Sequence, residues 1–159
     1  MFNFLFAKSS LNPKQLQKIL DDWEYATCKG SESFTQKDYK SAILYFEKSL
    51  DFAKAGLSAN NKRGRFMHFY TLSSMNLAHV LSVSQRQSLS EKVLSDAHFN
   101  MLSVMMDQKQ PRSFRSEARS QAELLMASLK RYLKSMGKNK VADSLEEEFY
   151  RLKLTSGMG

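Results

Sequence analysis

The chain has 159 residues, a length that one domain of ordinary size accounts for, and its 42% hydrophobic content excludes a disordered chain. Only 6 Gly and 2 Pro interrupt it, and β-branched runs are nearly absent, so an all-α protein is expected rather than a set of short turn-linked strands. The formal net charge of +8 and a pI of about 9.6 suit acidic partners: nucleic acid, an anionic membrane or an acidic protein surface.

In chain order, Phe2, Phe4, Leu5 and Phe6 form an apolar patch in residues 1–12. The patch is shorter than a secretory signal core or a spanning helix, so it is expected either to cover the end of a helical stack or to serve as a short membrane-surface anchor. Asn12-Pro13 reads as a helix start, an Asn cap followed by proline at the first helical position. Leu16, Ile19, Leu20, Trp23, Ala26, Thr27, Gly30 and Phe34 follow at helical spacing. Gly30 fits either a C-cap or a close helix crossing, and SESFTQKD around it is polar and turn-prone. The single cysteine, Cys28, lies on this helix and is expected to be a buried or half-buried structural thiol in a reducing, cytoplasmic setting.

The second helix, capped by Asp38 or Thr35 and covering 39–54, is the clearest amphipathic stretch. Ala42, Tyr45, Phe46, Ser49, Leu50 and Ala53 fall on one face, and the helix is expected to end near Ala55-Gly56. SANNKRGR is a basic loop in which Asn60 or Asn61 could cap a third helix. That helix carries Phe66, Phe69, Tyr70, Leu72, Ser73, Met75, Leu77, Val80 and Leu81 on more than one side. After SVSQRQ, the capping-box pattern Ser88-x-x-Glu91 opens a fourth helix with Leu89, Val93, Leu94, Ala97, Met101, Leu102 and Met105 inside. Ser113 is the expected cap of a fifth helix, which runs to about Met136 before Gly137. A sixth runs from Val141 to about Leu154 with Val141, Ala142, Leu145, Phe149 and Leu152 inside, and residues 156–159 are expected to fray. Six helices in one domain over 13–155 make three antiparallel pairs, either a six-helix bundle or a short solenoid.

Catalytic and metal motifs are sparse. His68, His79 and His98 match no zinc spacing, no phosphate-cradling glycine loop or G-x-S-x-G is present, and the acidic runs Asp21-Asp22-Glu24 and Glu146-Glu147-Glu148 read as solvated faces. No cofactor, metal or enzymatic activity is expected. The nine methionines read first as core filling.

Residues 23–56 resemble one tetratricopeptide repeat. Gly30 stands at the small position of the helix crossing, Tyr39 and Ala42 fit the pattern K-D-Y-x-x-A, and Phe46 is the aromatic one turn on. Gly137-Lys-Asn-Lys-Val-Ala142 is similar to the same family's turn into a second helix. Ser49 replaces the family's preferred alanine, and the closing proline is absent. The resemblance implies a non-catalytic protein–protein interaction module, an adaptor or chaperone-like protein. It would hold a peptide or protein segment in a basic groove lined by Thr27, Ser31, Tyr70, Ser74, Arg131 and Lys134. Lys62, Arg63, Arg65, Arg112, Arg115 and Arg119 are the candidate basic patch. A nucleic-acid-binding regulator using that patch, and a peripheral membrane protein anchored by residues 2–6, are the alternatives; a homodimer is also open.

Overall fold

The computed structural model describes residues 11–59 and 64–157. Over these residues the protein is all-α, with six helices: α1 (Pro13–Thr35), α2 (Tyr39–Ser58), α3 (Arg65–Val83), α4 (Gln87–Met106), α5 (Arg112–Ser135) and α6 (Asn139–Thr155). No described helix is long and apolar enough to cross a membrane. The apolar patch at residues 2–6, the loop cations Lys62 and Arg63, and the candidate caps Asn60 and Asn61 lie outside the described residues.

Local chemistry sets the first two helix starts. Asn12 Oδ1 accepts from the Gln15 backbone N–H at 2.8 Å and Gln15 Oε1 accepts from the Asn12 N–H at 2.9 Å, a reciprocal capping box with Pro13 behind it. Asp38 caps α2 by accepting from the Ser41 N–H at 3.1 Å. The Ser41 side chain and backbone together hold its carboxyl below the usual range. Two expected caps are not used. α4 begins at Gln87, so Ser88 is already helical, and Glu91 instead accepts from the Lys138 ammonium at 2.6 Å. α5 begins at Arg112 after Pro111, with no side-chain cap, so Ser113 too lies inside the first turn. The expected turn at SESFTQKD also starts later, because α1 runs on to Thr35.

Three helix pairs close on one and the same turn. At the end of α1, α3 and α5 a single residue takes a left-handed conformation: Lys37 at φ 61°, Gln85 at φ 64° and Gly137 at φ 75°. The next N–H reaches back to the helix: Asp38 to Ser33 O at 2.9 Å, Arg86 to Leu81 O at 2.8 Å, and Lys138 to Leu133 O at 2.9 Å. The following helix begins one residue later in all three, at Tyr39, Gln87 and Asn139. Its fourth residue is small and buried each time: Ala42, Ser90 and Ala142.

The chain divides into two compact units, residues 1–90 and 91–159. In the first, α1, α2 and α3 pack in sequence order. Gly30 sits inside α1, where a Cβ would come within 2.6 Å of Phe46 Cε1; the helix-crossing reading is therefore the observed one. Gly56 likewise lies inside α2 against the Phe66 ring, and the helix continues past it to Ser58. Trp23 stacks on Phe69 with centroids 4.1 Å apart. Its indole N–H donates to Ser73 Oγ at 2.8 Å, Ser73 Oγ lies 2.7 Å from Ser49 Oγ, and Ser49 Oγ lies 2.8 Å from Thr27 Oγ1. This chain ties α1, α2 and α3 through groups that would otherwise be unpaired in an apolar interior. Ser90 Oγ adds a bond to Ala78 O at 2.7 Å, fixing the start of α4 on α3.

In the second unit α5 supplies the core, with Phe114, Ala118, Ala122, Leu125, Met126, Leu129 and Leu133 buried. α4 adds Met101, Val104 and Met105. α6 buries only Ala142 and Phe149, and the expected interior residue Val141 is exposed, as is Leu89 on α4 in the first unit. Ion pairs complete the attachment of α6: Lys130 to Glu146, and Lys153 to Glu123 at 2.6 Å. Ser156, placed by sequence in the tail, is buried and its carbonyl accepts from Arg115 at 3.4 Å. Met67, Met101, Met105 and Met126 are buried, which bears out core filling for these four.

Candidate functional site

The second unit contains a groove of about 420 Å³ walled by two helices. Ser95, Phe99, Leu102 and Met106 recur at steps of four, three and four along α4, so they share one face. Leu145, Glu148, Phe149 and Leu152, at i, i+3, i+4 and i+7, share one face of α6. Leu129 of α5 and His98 of α4 also line it. Phe99 is a large aromatic that stands 54% exposed.

His98 is the one buried histidine. Its Nδ1 lies 3.1 Å from the Ala122 carbonyl oxygen, which can only accept, so Nδ1 carries the proton and Nε2 is the acceptor. The ring meets Phe149 edge-on at 5.5 Å. Burial lowers its pKa to about 4, against the smaller opposing effect of the Ala122 bond, so the imidazole is neutral at pH 7. Among the described residues Glu148 is the one acidic or basic side chain lining the groove besides His98, and its ion pair with Arg151 at 3.6 Å is an exposed one.

A second cleft of about 680 Å³ lies along α5 and α6, lined by Lys130, Arg131, Lys153, Glu123, Glu146 and Tyr150 among others. Its charges largely neutralise one another. Lys130 pairs with Glu146, whose carboxylate raises the lysine's pKa by hydrogen bonding, and Lys153 pairs with Glu123.

The residues expected to line a basic groove have different surroundings, taken unit by unit. Thr27 is half-buried and bonded to Ser49, while Ser31 is exposed and donates to the Thr27 carbonyl at 3.0 Å. Tyr70 and Ser74 are core residues, 2% and 1% exposed, so neither offers a surface to a ligand: α3 turns nearly its whole circumference inward. Arg131 is exposed in the α5–α6 cleft, and Lys134 pairs with Asp143 at 3.6 Å. The described residues of the expected basic patch differ in the same way. Arg65 lies over the Phe66 ring at 5.5 Å and Arg112 is exposed. Arg119 pairs with Glu123 at 3.7 Å. Arg115 is 93% buried, its guanidinium donating to Gln108 Oε1 and to Ser156 O, and so belongs to the fold rather than to a surface. Cys28 is exposed, against the expected burial, because position 28 falls off the stripe formed by Trp23, Ala26 and Gly30. Among the described residues no group of three or more His, Cys, Asp and Glu is placed to hold a metal ion.

Sequence periodicity assigned Leu102, Leu145 and Leu152 to the core and passed over Phe99 and Met106. The available signal was a surplus: α4 has more apolar positions than one buried stripe needs, and the extra ones fall on a second stripe. A family described as "Protein of unknown function (DUF2753)" matches residues 21–151. The chain belongs to the DUF2753 family. The match takes in every residue lining the α4–α6 groove except Leu152. No curated protein and no solved structure matches the chain.

Proposed function

We propose that this DUF2753 protein is a non-catalytic protein–protein interaction module of the cytoplasm, built from tetratricopeptide-like helix pairs. The observation that carries the reading is the α4–α6 groove: two helix faces present apolar side chains at helical spacing over an apolar floor, with Phe99 standing 54% exposed on the rim. Such a surface fits the apolar face of a helical protein segment. The repeated turn at Lys37, Gln85 and Gly137 supports the helix-pair reading, as does the close seat of Gly30 on Phe46. Function here resides in α4 and α6 rather than in the basic groove that the resemblance implies, since Tyr70 and Ser74 are enclosed and Lys134 is paired.

Affinity capture from lysate with the full chain as bait, with and without nuclease, tests the reading. A protein partner is expected to survive nuclease treatment and to be lost with Phe99→Asp bait. Recovery that disappears with nuclease, or that ignores Phe99→Asp, would overturn it.

A further inference from the structure

The groove is long and open, and among the described residues the one charged side chain lining it is a carboxylate, Glu148, although the chain as a whole carries +8. From Ser95 to Met106 the α4 wall extends about 16 Å, and from Leu145 to Leu152 the α6 wall extends about 10 Å, at 1.5 Å per residue. Two to three helical turns of a partner match that length, with anchors at i, i+3 or i+4, and i+7. An enclosed cavity would suit a small molecule. Here the groove is not enclosed, and the 54% exposure of Phe99 in its wall leaves it accessible to an extended object.

The polar groups of the lining point to the partner's charge. Glu148 is the one carboxylate, and its pair with Arg151 is between side chains 58% and 71% exposed, a weak pair that a better-desolvated cation displaces. Burial keeps the His98 ring neutral, and the Ala122 carbonyl fixes its proton on Nδ1, which leaves Nε2 as the acceptor. Ser95 and Ser103 contribute hydroxyls. The groove therefore asks for hydrogen-bond donors and positive charge between apolar anchors. A fatty-acid carboxylate would meet Glu148 as a like charge.

We infer that the α4–α6 groove receives an amphipathic helix of a protein partner, its large apolar side chains seated between Phe99, Leu102, Met106, Leu145 and Leu152 and a lysine or arginine placed against Glu148. This rests on the protein-interaction reading and gives it a partner class. It runs opposite to the chain's net charge: the long-range field favours acidic molecules, whereas the groove selects a basic one at contact.

The test uses the full chain and two fluorescein-labelled synthetic helical peptides with one leucine stripe, flanked by lysines in one and by glutamates in the other. Fluorescence anisotropy should show the lysine-flanked peptide binding at least about tenfold more tightly, despite the chain's overall positive charge. Phe99→Asp should weaken it by about tenfold or more, and Glu148→Lys should reverse the preference. Both positions are exposed, and circular dichroism confirms that the variants stay folded. Equal binding of the two peptides, binding indifferent to Phe99→Asp, or no binding of either would overturn the proposal. A photo-crosslinking residue at position 102 in expressing cells separates this failure from that of the parent reading. A protein crosslink to a non-helical or acidic segment removes only the partner class; a lipid crosslink, or none, removes both.

Discussion

Replacing Gly30 with alanine should destabilise the first unit, although the same change in an exposed helix stabilises by about 1 kcal/mol through helix propensity. The new Cβ would lie 2.6 Å from Phe46 Cε1 and 2.7 Å from Cδ1. Those atoms belong to a ring that is 4% exposed, so it has no solvent side to swing towards. Overpacking of this kind costs about 1–3 kcal/mol, and three ring carbons within 3.0 Å place Gly30 in the upper part of that range. The net expectation is a loss of about 1–2 kcal/mol. Trp23 is the only tryptophan and lies buried in the same unit, so its fluorescence during urea unfolding reports on this unit directly. The Phe46→Leu background should relieve the loss, giving a favourable coupling of at least about 0.5 kcal/mol in the double-mutant cycle. A urea midpoint that rises for Gly30→Ala alone would refute the close-crossing argument.

Three further predictions concern interior polar groups and turns. Ser73→Ala removes the acceptor of the Trp23 indole N–H and a partner of Ser49, and should lower stability by about 1–3 kcal/mol with a changed tryptophan emission; a neutral result would mean the hydroxyl chain is idle. Lys37→Gly and Gln85→Gly should each stabilise by about 0.5–1 kcal/mol by relieving left-handed strain, whereas Gly137→Ala should destabilise by about 1 kcal/mol; thermal melts that show the same sign at all three would contradict the shared turn. His98 has a folded pKa of about 4 against 6.5 unfolded, so the unfolded state binds the proton more readily between those values. The stability that the neutral ring provides is complete above pH 6.5 and is lost as pH falls through 4, with about 2 kcal/mol disappearing between pH 7 and pH 5. His98→Asn should flatten that part of the stability profile, and an NMR titration of the ring near pH 6.5 in the folded protein would exclude the mechanism.

The six helices were legible because their buried stripes keep a helical period, and α1 and α2 announce their starts with Asn12 and Asp38. The repeat was less legible. The left-handed residues that close the three pairs stand 48 and 52 residues apart, and only the last is glycine, so neither a 34-residue period nor a glycine marker exposes them. Lys37 and Gln85 adopt a conformation that their side chains disfavour, and only the surrounding helix pair imposes it. The groove was hidden for another reason. Periodicity says that Leu102 and Leu152 lie on apolar stripes, but not which stripe the fold covers, since that depends on contacts distant in sequence. Charge misled in the same way: Arg115 counts towards a basic patch by composition, and its bonds to Gln108 and Ser156 take it inside.

The shared turn also permits a position-by-position reading of the pairs. Seven residues before each left-handed residue stand Gly30, Ala78 and Lys130; nine after it stand Phe46, Leu94 and Glu146. The first pair thus closes by burying an aromatic ring on a glycine, and the last by an ion pair at the same place. Burial of apolar surface is not weakened by simple salt, whereas a half-buried ion pair such as Lys130–Glu146 is partly screened by it. Amide hydrogen exchange should consequently find α6 the least protected of the helices, with protection that falls as ionic strength rises. One wall of the groove is then a separately melting element, and a docked helix would add its own ordering of α6 to its binding signal.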